Sequence, residues 1–171
     1  MTTRYPNLPN RASLPDLFEF HPEARSELFA LLRAVMRGPG PFEPGERELI
    51  AAFVSGVNSC SFCVDAHGMV AEAFGLPRQL IDDLVNRLEN AEISDRMRPL
   101  LSYCGKLTRA PSSINDADAA AVYDAGWSED DLHQAVLITG LFNIMNRLSE
   151  GAGLTMGRDL ALAAPEQAEA V

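Results

Sequence analysis

From Leu132 to Leu148 the chain is apolar almost all the way round a helix: Leu132, Val136, Leu137, Ile138, Leu141, Phe142, Ile144, Met145 and Leu148 leave no broad polar face. Such a helix has to be enclosed, either at the centre of a helical domain or in a subunit interface. That requirement narrows the fold more than any other segment. Ser128 and Asp131 stand at capping-box spacing before it, and the helix is expected to end near Ser149.

The remaining signals are helical too, and strand signals are nearly absent. Pro22 opens a helix carrying Leu28, Phe29, Leu31, Leu32, Val35 and Met36, with Gly38 as its stop. A second helix is expected from about Gly45 to Val57, striped by Leu49, Ile50, Phe53, Val54 and Val57 and broken at Asn58-Ser59. Ser59 is read as the N-cap of a third, Cys60 to Phe74, closed by Gly75. Pro77 begins a fourth, Ser94 caps a fifth through Leu107, and Asn115 caps a sixth ending at Gly126. The expectation is an all-α orthogonal, bundle-like fold of about seven helices. A single domain should span residues 1–171, with 1–21 as an N-terminal arm and 155–171 as a C-terminal extension.

Composition removes several functional classes. The formal charge is −10, and the 14 Lys and Arg, of which Lys106 is the only lysine, are scattered. A nucleic-acid or anionic-membrane partner needs clustered cations, so neither is expected. The longest apolar run, Ala135 to Phe142, contains Thr139 and Gly140 and falls short of the roughly 20 residues a bilayer demands. Met1 to Pro9 has no apolar core of a signal peptide, so the expected location is cytoplasmic.

The chemistry concentrates between Glu48 and His67. Placed on one helix, Cys60, Cys63 and His67 fall within an arc of roughly 60°. Two sulfurs and an imidazole then face one way. Thiolate is the reactive form of cysteine, and a helix N-terminus favours it at Cys60. His67, one turn beyond Cys63, can take or return a proton. If the helix carrying Glu48 folds back as a hairpin, its carboxylate can orient His67 and serve as the final proton acceptor. Oxidation of one thiol to sulfenic acid and condensation with the other yields a disulfide, which an external dithiol resets.

Two plainer readings compete. Cysteines at i and i+3 can be ordinary core residues. Cys60, Cys63 and His67 also make three potential zinc ligands, with Glu48 or Asp65 as a fourth, although structural zinc usually draws ligands from separate elements. Cys104, among Leu100, Leu101, Tyr103 and Leu107, reads as core, and Trp127 as packing. His133, beside Asp130 and Asp131, reads as solvated or packed, and His21 as having a local role. Asn143, Asn146 and Arg147 interrupt the most apolar helix, where interhelical or intersubunit hydrogen bonds are expected.

Glu48, an eleven-residue gap, Cys60-Ser-Phe-Cys63 and then His67 resembles the signature of the alkylhydroperoxidase-D branch of the carboxymuconolactone decarboxylase superfamily, in particular its peroxidase-related group. His67-Gly-Met-Val-Ala, the close at Phe74-Gly75-Leu76, and Asn146-Arg147 with Gly151 fit the same pattern. The resemblance implies an all-α fold, homo-oligomers (dimers, trimers or hexamers) and thiol-dependent reduction of hydroperoxides. It implies Cys63 as the peroxidatic thiol, Cys60 as the resolving one, and Glu48 with His67 as the proton relay. The reductant it implies is a dithiol protein, lipoylated or thioredoxin-like, and it implies no resident cofactor or metal. The helix-end argument points instead to Cys60 as the more acidic sulfur. Phe62 stands where well-characterised members carry a second histidine, which removes a proton carrier and adds an apolar wall. The competing functions are lactone decarboxylation, which does not generally depend on a Cys-x-x-Cys pair, and a non-enzymatic redox-sensing or zinc-holding module.

Overall fold

A computed structural model describes residues 3–10 and 12–156. The described residues form eight α-helices: α1 Leu14–Leu17, α2 Pro22–Arg37, α3 Pro44–Val57, α4 Ser61–Ala73, α5 Arg78–Asn86, α6 Met97–Arg109, α7 Asp116–Asp124 and α8 Glu129–Ala152. Three single 3₁₀ turns lie between them, at Phe18–Phe20, Leu88–Asn90 and Pro111–Ser113, and no strand occurs among the described residues. The all-α expectation holds, with α1 as a short helix the sequence reading did not separate from the arm. Nearly all of the expected C-terminal extension falls outside the described residues.

Within the subunit α3 is the most enclosed helix, more so than α8. Every residue from Arg47 to Ser55 is buried, and α3 packs against α2, α4, α5, α6 and α8. The sequence stripe of Leu49, Ile50, Phe53 and Val54 is one face of it; Ala51, Ala52 and Ser55 are the other, and they are just as enclosed. Small residues there let neighbouring helices come close. Gly56 shows how close: a Cβ at that position would meet the Val85 side chain of α5 at 2.6 Å. Helix α8 buries Leu132, Ala135, Ile138, Leu141, Phe142, Met145, Asn146, Ser149 and Ala152 but leaves Leu137 and Ile144 about half exposed. Each fully buried Leu, Ile or Phe contributes roughly 1.5–3 kcal/mol, so the α3–α8 contact is a major part of the core.

Most helix ends follow the sequence signals. Ser128 caps α8 with its Oγ accepting from Asp131 N at 3.2 Å, and Asn115 caps α7 by accepting from Ala117 N at 3.0 Å. Gly75 takes a positive φ after α4. Among the described residues, no helix is long and apolar enough to cross a membrane.

The described part of the N-terminal arm is made of short turns packed on the end of α8. Leu8, Ala12, Leu17 and Phe18 form a second apolar cluster with Ala152 and Leu154 at the end of α8, and Phe62 leans against it. Arg4 N donates to Ala152 O at 2.8 Å.

Candidate functional site

The turn between α3 and α4 decides where the first sulfur sits. Cys60 N donates to Ser55 O and Ser59 N to Gly56 O, both at 2.9 Å. With Ser59 at φ +58, this is the Schellman closure of α3. Ser59 occupies the left-handed position normally taken by glycine, so it cannot also be the extended N-cap of α4. That place falls to Cys60, at φ −89 and ψ 91. The expectation that Cys60 lies within the helix is thus corrected by one residue, because the same turn has to end one helix and start the next. Cys60 is fully buried and Cys63 is 4% exposed, and each thiol acts on the acidity of the other.

The hairpin of α3 and α4 brings the carboxylate to the imidazole. Glu48 is buried at 1% exposure, and its Oε2 lies 2.6 Å from His67 Nδ1. The other oxygen, Oε1, lies 2.7 Å from Arg37 Nη1 at the end of α2. Burial pushes the Glu48 pKa up, but His67 and Arg37 together outweigh it and hold the carboxyl below its ordinary value. Because Nδ1 is engaged by Glu48, Nε2 is the nitrogen that can exchange a proton with a thiol. The edge of the imidazole meets the Phe142 ring of α8, with centroids 4.4 Å apart.

Helix α8 completes the surroundings of Cys63. Ser149 Oγ is 3.5 Å from its Sγ, and Asn146 also acts to lower the pKa of the thiol. Asn146 is itself fixed: its Nδ2 donates to Ser55 Oγ at 2.9 Å, and its Oδ1 accepts from Asn58 Nδ2 at 2.9 Å. The two sulfurs diverge in acidity. Cys63 is brought down to about 6, first by the bond from Cys60, against the cost of burial, and then by Ser149, His67 and Asn146. Cys60 is pushed up by its bond to Cys63, by burial and by the negative charge of its neighbour. The helix-end argument placed the acidity at Cys60; the hydrogen-bond donors converge on Cys63 instead.

The other candidates separate from this cluster. Cys104 is fully buried among core side chains, and burial raises it to about 11. Asp65, the alternative fourth zinc ligand, turns to Arg78 at 3.0 Å. Among the described residues, no group of three His, Cys, Asp or Glu side chains is arranged to hold a metal ion. His133 is exposed, and His21 is exposed at the start of α2. Trp127 packs on Phe42, with its Nε1 donating to Arg96 O at 2.7 Å. Asn143 accepts from Asn58 at 3.3 Å and from Arg147 at 2.7 Å, forming the outer edge of the Asn146 network.

The sequence marks Asn146 as an interhelical hydrogen-bonding position with a weaker claim to a place around the pocket, but it does not single out Ser149 or Arg37. Polar residues at 146 and 149, three apart on the buried face of α8, are a signal that was available. For Arg37 no local signal exists, since a basic residue in the last turn of a helix is commonplace.

Residues 22–105, from the start of α2 into α6, match the Carboxymuconolactone decarboxylase family. Among curated proteins none matches the chain. Solved structures do. The alkylhydroperoxidase AhpD core of an uncharacterized peroxidase-related protein from Ralstonia eutropha is 26% identical, with a TM-score of 0.83 over 96% of this chain and 97% of that one. An uncharacterized peroxidase-related protein from a Silicibacter species is 28% identical, with a TM-score of 0.79 over 84% of this chain and 75% of that one. A debrominase solved with 2,3,4-tribromopyrrole shares the fold at 12% identity, with a TM-score of 0.72 over 89% of this chain and 78% of that one. The family match and the architecture around it agree: residues 22–105 carry the Carboxymuconolactone decarboxylase family pattern, and the helical fold of the chain is AhpD-like.

Proposed function

We propose that this chain is a thiol-dependent peroxidase in which Cys63 attacks a hydroperoxide and Cys60 resolves the product. The observation that carries the reading is the Glu48–His67 hydrogen bond beside the thiol pair, with the charge of His67 acting on Cys63 and the lowered pKa falling on that sulfur. The Cys63 thiolate attacks the terminal peroxide oxygen, the O–O bond breaks, and the sulfur becomes a sulfenic acid. The departing alkoxide takes a proton from His67 Nε2, and Glu48 stabilises the imidazolium before that transfer. The Cys60 thiol then displaces hydroxide from the sulfenic sulfur, giving a Cys60–Cys63 disulfide and water. A dithiol reductant returns both sulfurs to thiols and leaves as its own disulfide.

In this reading the partners are a hydroperoxide and a dithiol protein, lipoylated or thioredoxin-like, and the working form is a cytoplasmic homo-oligomer. Burial of both sulfurs restricts the approach to the small peroxide end of a substrate. The reductant needs an opening motion to reach the disulfide. Lactone decarboxylation, the activity in the family's name, has no use for a hydrogen-bonded thiol pair, so it is the weaker reading. The debrominase likeness concerns the fold and brings no substrate with it.

The test is peroxide consumption with a dithiol reductant, together with mass spectrometry of the peptide holding Cys60 and Cys63 after one equivalent of peroxide. Turnover should stop in Cys63→Ser, and the wild-type peptide should lose two hydrogens as the disulfide forms. Turnover persisting in Cys63→Ser would sink the proposal.

A further inference from the structure

Arg37 lies outside the motif, on a different helix, yet it touches the motif's carboxylate. Glu48 is divided between two cationic or proton-bearing partners, with Oε1 to Arg37 at 2.7 Å and Oε2 to His67 at 2.6 Å. A carboxylate held at both oxygens cannot rotate away from the imidazole. Arg37 is itself fixed at several points. Its Nη1 also donates to Met36 O at 3.0 Å, and its guanidinium lies over the Phe74 ring at 5.6 Å.

The end of α2 that carries Arg37 is fastened by the residue preceding Glu48. Arg47 is buried and donates to Val35 O at 3.2 Å, Gly38 O at 2.7 Å and Phe42 O at 2.9 Å. Adjacent residues of α3 thus grip the last turn of α2 in two ways, Arg47 through backbone carbonyls and Glu48 through Arg37. We propose that Arg37 is a positioning residue of the thiol centre, which keeps Glu48 ionised and aimed at His67 so that His67 can serve Cys63. This rests on the roles assigned above to Glu48, His67 and Cys63.

The charged surroundings support that assignment. The groups acting on Glu48 are His67 from α4 and Arg37 from α2. Arg37 in turn faces Arg47 of α3, which also senses Glu43 at the start of that helix. Helix α8 brings the Phe142 ring against His67, and its Glu150 acts on Cys60. Arg37 and His67 thus both act on the Glu48 carboxylate, Arg37 as a permanent cation. Without it, a carboxyl buried to 1% exposure takes up a proton at higher pH, and the imidazole loses its acceptor.

The readout is the rate at which iodoacetamide labels Cys63, followed by mass spectrometry across pH, alongside peroxide turnover. In Arg37→Met the acid limb of labelling should move to higher pH by about one unit, so labelling well below pH 6 is about tenfold slower while the alkaline plateau is kept. Arg37→Lys, which retains the charge, should return the limb to within about twofold of wild type. In a Glu48→Gln background, Arg37→Met should change nothing further. Should Arg37→Met fail to fold, Arg37→Gln keeps a donor to Oε1, removes the charge, and carries the same test. A limb that stays in place, or one that moves equally in the Glu48→Gln background, overturns the inference; a uniform loss at every pH would mark a merely structural role and overturn it too. A shifted limb in a protein that consumes no peroxide would leave Arg37 its role and remove the peroxidase reading instead.

Discussion

Cys63 and Cys104 are both buried cysteines in helices that pack against α8, yet their chemistry differs. Cys104, fully enclosed, has a weak 4.0 Å contact to Ala135 O and is raised to about 11 by burial. Cys63, 4% exposed, receives Cys60, Ser149 and Asn146 and is lowered to about 6. Desolvation acts against the thiolate at both sites. Thr139 of α8 acts on Cys104 in the lowering direction without overcoming burial, whereas Cys60, Ser149 and Asn146, joined by the charge of His67, outweigh burial at Cys63. Burial by itself makes a thiol inert; burial with converging donors makes it reactive.

Reactivity at neutral pH breaks or upholds that contrast most directly. With values of about 6 and about 11, the ionised fractions of Cys63 and Cys104 should differ by roughly 10⁴. Alkylation of native protein should therefore label Cys63 and spare Cys104. The Cys63 rate should fall about tenfold per pH unit below about 6, because the thiolate is the nucleophile and is lost as protons bind. Equal labelling of the two would remove the basis of the comparison.

Glu48→Gln comes next. It keeps the size of the side chain but removes the negative charge from the imidazole, and general acid–base catalysis is worth roughly 10²–10⁴-fold. A loss of about a hundredfold in turnover is expected, with the helical circular dichroism unchanged. Ser149→Ala should act more gently, moving the midpoint of Cys63 labelling up by about one pH unit through loss of one hydrogen bond to a charged sulfur. An unchanged midpoint would assign the effect to Cys60 and Asn146. The smallest expected effect is that of Cys104→Ala. It should leave turnover within about twofold and lower unfolding stability by about 1 kcal/mol, as a small cavity in a packed core does; denaturant titration reads the stability and the peroxide assay the activity.

Helix periodicity, the proline and glycine stops, and the caps at Ser128 and Asn115 were legible without coordinates, because each depends on residues within a few positions of one another. Cys63 and His67 on one face were legible for the same reason. Ser59 misled, since the left-handed closure of α3 and the start of α4 compete for the same residue, and a serine is a good candidate only for the second. Helix α8 carries the more continuous apolar surface, but α3 is the more enclosed within the subunit, because small residues on its second face admit neighbours on all sides.

Local pattern thus determined that this chain would be helical and that a dithiol, a histidine and a glutamate would sit in one short stretch. Tertiary structure alone decided which sulfur is acidic, and it brought Arg37, Asn146 and Ser149 to the site. The reason is range. Periodicity and capping act over one or two turns, whereas the field at a buried sulfur is set by whichever side chains distant helices deliver within about 4 Å.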